Sequence, residues 1–210
     1  MVVSKMKKMI LASLYRVTKS DVEKASLVLG RAFHDDPVMS QVVPEEDERK
    51  QKLPLIYKIS LLYALKYGGA YSPSKNLEGI AIIVPSETAN VTFWRLIRSG
   101  ALRTVIKLGR GTFNRLERIL APMIKAQKEI LKEGYLYLQI MGVSPELQGR
   151  GFGGKLVRSL IEHADNEETA IYLETTENNV QWYKKFGFRV LKEIKLPAID
   201  LSMWAMVRET

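Results

Sequence analysis

The 210-residue chain is 46% apolar and 26% charged, the balance of a globular protein with a substantial core, and its length suits one domain or one domain with an insertion. It holds no cysteine, which excludes disulfides, thiolate metal sites and cysteine nucleophiles, and its two histidines, His34 and His163, have no metal-ligand spacing. The formal net charge of +9 suits nucleic acid, a membrane surface or a polyanionic cofactor.

The basic start "MVVSKMKKMILASLYRV" has too short an apolar stretch, and no cleavage pattern, to be a signal peptide. No apolar run is long enough to span a bilayer, so a cytoplasmic location and no membrane partner are expected. A strand is predicted at Leu14 to Val17, then a helix with Ser20 as N-cap and Glu23 completing a capping box. Asp36-Pro37 breaks that helix. The segment "PEEDERKQKLPLIYKISLLYALKYGG" predicts a longer one, kinked or begun by Pro54 and ended by Gly68-Gly69. "GGAYSPSKNLEGIAIIVP" reads as a hairpin with its turn at Ser72 to Asn76 and its second strand over Gly79 to Val84.

Residues 86–134 read as a helical block punctuated at Gly109 to Gly111, and much of the basic excess lies there as a solvated helix face. Phe93 and Trp94 within it read as core packing or as anchors of a contact surface. The pattern continues with a strand (Tyr135 to Val143), a glycine loop, a helix to His163, a strand (Ala170 to Thr175) and a helix (Asn179 to Phe186). Two strands close the chain, Phe188 to Lys195 and Asp200 to Arg208, antiparallel around Pro197 because no crossover helix separates them. No basic run is interleaved with aromatics as single-strand binders require, and no reading helix is evident, so no nucleic-acid partner is expected.

The loop "LQGRGFGGKL" at 147–156 fits three phosphate-binding patterns at once. A P-loop requires a hydroxyl after the lysine, and Leu156 stands there. A dinucleotide fingerprint is favoured by the flanking strand and helix and by Glu174 at the ribose-binding distance. "SPELQ" between Val143 and Gly149, and the lack of further βαβ units, count against it. In the third pattern, Q-x-x-G-x-G, the glycines open a helix near Phe152 whose free N–H groups face a pyrophosphate, with Arg150 and Lys155 adding charge.

"YLYLQIMGVSPELQGRGFGGKLV", followed by "AIYLETTENNVQWYKKFGFRVL", resembles the core of the GNAT superfamily of acyl-CoA-dependent N-acetyltransferases. The likeness covers Tyr135 to Arg208 and extends more loosely to "YRVTKSDVEKASLVLGRAFHDDP". It implies an α/β fold with a mixed, mostly antiparallel sheet, a splayed central parallel strand pair and flanking helices. It also implies one N-acetyltransferase domain over 1–210 with residues 86–134 as a helical insertion. That insertion would cover the acceptor pocket or form a homodimer interface. Acetyl-CoA would be the co-substrate, with no metal, and a small-molecule or peptide amine the acceptor. The pyrophosphate would lie on Gln148, Gly149, Arg150, Gly151, Phe152, Gly153 and Gly154, and the pantetheine against the backbone of Met141, Gly142 and Val143, with Gly142 easing an irregular strand. Tyr183 would protonate the departing thiolate and Asn179 would touch the cofactor, while the base, a carboxylate or a water chain, is not identified by the sequence: Glu174 is one candidate, or a carboxylate that simply pairs with a nearby lysine. A GNAT fold that binds CoA without turnover is the competing reading. "AFHDDP" either offers His34, Asp35 and Asp36 to a cationic acceptor or is a plain helix end.

Overall fold

The computed structural model describes residues 11, 13–130 and 134–210; of the basic start, residues 1–10 and 12 lie outside them. Strand β1, Tyr15–Arg16, leads through a 3-10 turn at Lys19–Asp21 into helix α1, Val22–Ala32. The expected Ser20/Glu23 capping box is not the one used. Asp21 Oδ2 instead accepts from the Thr18 N–H at 2.8 Å, the Thr18 hydroxyl at 2.6 Å and the Tyr15 hydroxyl at 2.8 Å. Asp36-Pro37 starts a helix as well as ending one. In α2, Pro37–Val42, proline occupies the first turn and Asp36 Oδ1 accepts from the Val38 and Met39 N–H groups at 3.0 Å each.

Helix α3, Glu46–Tyr67, continues through Pro54. A Cβ on Gly30 of α1 would stand 2.9 Å from Pro54 Cγ, so the glycine is what lets the two helices approach there. Strands β2, Gly69–Ser72, and β3, Gly79–Pro85, form the hairpin, with Tyr71 opposite Ala81. Four helices follow: α4 Ser86–Ala89, α5 Phe93–Arg98, α6 Leu102–Leu108 and α7 Arg110–Ile130. Gly109, with φ +86°, makes the left-handed break between α6 and α7. The remaining elements are β4 Tyr135–Val143, α8 Phe152–Asn166, β5 Ala170–Thr175, α9 Glu177–Lys184, β6 Arg189–Leu196 and β7 Leu201–Arg208.

The described strands form one mixed sheet in the order β1-β2-β3-β4-β5-β7-β6, and only β4 and β5 pair in parallel. β5 lies between β4 and the antiparallel β7, so no second βαβ unit follows the glycine loop and the dinucleotide reading has no sheet to sit on. Side chains alternate between two cores. Tyr135, Tyr172, Ile82 and Ala205 pack with α1, α3 and α7 on one face. Leu136, Leu138, Ile171 and Leu173 pack with α8 and α9 on the other. Each fully buried Leu or Ile contributes about 1.5–3 kcal/mol, which holds the sheet between its two helical layers. No helix among the described residues is long and apolar enough to cross a membrane.

Candidate active site

At the end of β4, Ser144 donates its N–H to the Glu78 carbonyl at 2.9 Å. After a 3-10 turn at Pro145–Leu147, Gln148 reaches back and donates from Nε2 to the Val143 carbonyl at 3.2 Å, strapping the loop to the strand. Gly149 and Gly151 then take φ of +76° and +85°, a region that costs other residues about 1–2 kcal/mol. A Cβ on either would meet nothing within 4 Å, so conformation requires the glycines and the loop surface stays open. Gly151 precedes α8 without a side-chain cap, which leaves the first-turn N–H groups at the positive end of a 15-residue helix. That end suits a pyrophosphate. Lys155 does not join it: its Nζ donates to the Pro73 carbonyl at 3.0 Å. Leu156, where a P-loop needs a hydroxyl, is buried in the core.

A gap opens beside this loop. β4 pairs with β5 only from Tyr135–Tyr137 to Ala170–Tyr172, after which the two strands part. On its other side β4 stays paired with β3 to Val143, but Leu138 faces Ile83 and Ile140 faces Ile82, leaving Gln139 as a bulge residue. The Ser144 bond to Glu78 fixes the alternation along the ladder. Gly142 therefore turns its backbone groups towards β3, and Met141 and Val143 turn theirs into the gap. Since Gln148 holds the Val143 carbonyl, the Val143 N–H is the donor that faces the opening. Gly142 has a packing reason for being glycine. A Cβ there would lie 2.8 Å from Phe33 Cε2 and 3.0 Å from Ala32 Cβ, blocking α1. The strand irregularity belongs to Gln139 instead.

Glu174 and Tyr183 lie on opposite faces of the sheet. Glu174 is two residues beyond Tyr172 on β5 and so shares the face of Tyr135 and Tyr137, whose ring centroids stand 5.8 and 5.7 Å from that of Tyr172. Burial pushes the Glu174 carboxyl up to about 7, against the opposing pull of the Tyr137 and Tyr172 hydroxyls. The Tyr172 hydroxyl has no partner of regular hydrogen-bond geometry among the described residues, so its hold on Glu174 is weak. Glu174 keeps some accessible surface. On the other face, Tyr183 of α9 is buried between Trp182 and Phe188, with centroids at 4.9 and 5.5 Å. Burial raises its phenol further above its ordinary value, so it stays protonated at neutral pH.

The profile of the Acetyltransferase (GNAT) family matches residues 108–188, a span that includes the gap, the loop and α9. An uncharacterized N-acetyltransferase of Schizosaccharomyces pombe is 29% identical over 202 residues, covering 92% of this chain and 82% of the relative. A Corynebacterium glutamicum structure, described as histone acetyltransferase HPA2 and related acetyltransferase, superposes with a TM-score of 0.65 at 21% identity, covering 94% of this chain and 95% of that one. Residues 108–188 thus match the GNAT family, and the chain shares the fold of these acetyltransferases. The same GNAT fold is shared with arylalkylamine N-acetyltransferase 2 from Aedes aegypti, with a TM-score of 0.65 at 15% identity over 93% of this chain and 97% of that one.

Within this GNAT frame, the loop residues from Gln148 to Gly154, the gap-facing backbone of Met141 and Val143, and Tyr183 belong to neighbouring elements around the end of β4. Asn179 is exposed on α9, its Nδ2 bonded to Thr176 Oγ1 at 3.4 Å. Asp36 is engaged in capping α2, and His34 Nδ1 pairs with Asp35 Oδ1 at 2.9 Å. Phe93 and Trp94 are not core: they are 64% and 67% exposed. Sequence reading missed Tyr137 and Tyr172 around Glu174. The period-two spacing of Tyr135 with Tyr137 and of Tyr172 with Glu174 on their strands was the signal that could have grouped them.

Proposed function

We propose that this protein transfers the acetyl group of acetyl-CoA to a primary amine by direct attack. The observation that carries the reading is the β4–β5 gap, with a buried carboxyl on one face and a buried phenol on the other. The amine approaches from the Glu174 face. A carboxyl near 7 divides its population between acid and base at neutral pH, which suits it to take the ammonium proton. The freed nitrogen then bonds to the acetyl carbon, and the Val143 N–H stabilises the developing oxyanion. Collapse breaks the carbon–sulfur bond, Tyr183 gives its proton to the departing thiolate, and the extra proton on the nitrogen passes to water, from which the phenolate of Tyr183 is reprotonated. The products are an amide and CoA.

The open left-handed glycines and uncapped α8 terminus fit the pyrophosphate, and the gap-facing groups of Met141 and Val143 fit the pantetheine amides. We place all of this in one domain spanning 1–210 that acts in the cytoplasm, with residues 86–134 inserted between β3 and β4. The acceptor is a small-molecule or peptide amine. The test is free-thiol release from acetyl-CoA across a panel of amines, with Tyr183→Phe beside the wild type. The variant keeps the ring and its packing, so kcat is expected to fall by roughly 10²-fold with little change in CoA affinity. Unchanged kcat assigns the proton to water. CoA binding with no thiol release from any amine would make the chain a CoA-binding module.

A further inference from the structure

We propose that α5 and α6 form a docking surface for an anionic lipid bilayer. Two independent observations meet on these helices. The first is apolar exposure: Phe93 is 64%, Trp94 67% and Ile106 72% exposed. The second is charge: α5 and α6 carry Arg95, Arg98, Arg103 and Lys107, and residues 88–116 contain no acidic side chain.

The packing explains why both features face outward. Each helix rests on α3 or the core beneath it. The Arg95 guanidinium lies over the Tyr67 ring at 5.9 Å, Lys66 Nζ donates to the Arg98 carbonyl at 2.7 Å, and Leu96, Ala101 and Leu108 are buried. What remains outside is Phe93 and Trp94 on α5, then Leu102, Arg103, Ile106 and Lys107 on α6. Phe93 and Trp94 contact each other edge to face at 5.8 Å and form an aromatic knob. Aromatic and aliphatic side chains set among Arg and Lys match the two layers of a bilayer surface, acyl boundary and anionic headgroups.

Charge also argues against the other occupants. A two-fold contact between copies of this chain would press basic against basic with no acid in the segment to relieve it. Single-stranded nucleic acid would use the rings by stacking but would leave Ile106 and Leu102 in water. The expectation of no membrane partner rested on the lack of a spanning segment, and a surface contact needs none.

The test is co-sedimentation of the full chain with phosphatidylcholine vesicles, with and without about 30 mol% phosphatidylserine. The protein should pellet with the anionic vesicles only, and raising the salt to about 0.5 M should release it. The double variant Phe93→Ala/Trp94→Ala should bind roughly ten-fold more weakly, and Arg103→Glu/Lys107→Glu should not pellet. All four positions are exposed, so melting temperature and thiol release in solution should match the wild type. Three results would overturn the proposal. They are no pelleting with anionic vesicles, equal pelleting of the alanine pair, or an affinity for a second copy or a single-stranded RNA oligomer that the alanine pair removes while vesicles go unbound.

Discussion

Glu174 is the residue whose environment says most about its chemistry. A carboxyl raised from its ordinary 4.5 to about 7 keeps its proton in the fold through a range where the unfolded chain has already lost it. The folded state is thus undisturbed below about pH 4.5 and is progressively penalised as pH rises to about 7, by about 3 kcal/mol in all at 1.36 kcal/mol per unit. Glu174→Gln should remove that slope from a plot of melting temperature against pH. In the wild type, kcat/KM should rise through an acid limb near pH 7 as the base ionises. Glu174→Gln should lose the limb and roughly 10²-fold of the plateau. A variant that keeps both would assign the base to another group. The raised value was not legible in the sequence. Position 174 is simply a glutamate in "YLETT", and its burial depends on strand parity and on tyrosines from two strands.

At the scale of elements, the loop and α8 were legible because their signal is local: glycines at fixed spacing, then a helical stripe. Gly151→Val should test the part that matters. A β-branched side chain at φ +85° is strained and stands at the open mouth of the helix, so CoA affinity should fall at least ~10-fold while the circular-dichroism spectrum keeps its folded shape. Gly153→Ala is the control. Its Cβ would make ordinary contact with Trp182 at 3.7 Å inside α8, and binding should be kept. Normal CoA affinity in Gly151→Val would remove the pyrophosphate from this loop. Other elements were less legible for tertiary reasons. Pro54 sits inside α3 because Gly30 makes room for its ring, and Asp36-Pro37 serves as both an end and a beginning. The Gln139 bulge leaves no mark in composition, since only the register with β3 reveals it.

Over the whole molecule, alternating strands and helices gave the class, and the strand-rich end gave its antiparallel half. The parting of β4 from β5 was legible only through the family resemblance and not from pattern or composition; it divides the site between two faces and joins them through a gap. The helical block was legible as helix, yet not its exposure: Phe93 and Trp94 look like core in a periodic pattern and prove to be surface. A gap lined by unpaired backbone and a helix end with free N–H groups predicts a ligand that stabilises the fold by mass action. At 100 times its Kd, acetyl-CoA should add about 2.7 kcal/mol, which for a chain of this size raises the melting temperature by about 5–10 °C. NADH and ATP should do nothing, since among the described residues no second βαβ unit exists for the one, and Leu156 replaces the hydroxyl needed for the other. A larger shift with NADH than with acetyl-CoA would return the glycine loop to dinucleotide binding, and with it would go the assignment of Met141, Val143 and Tyr183 to acetyl transfer.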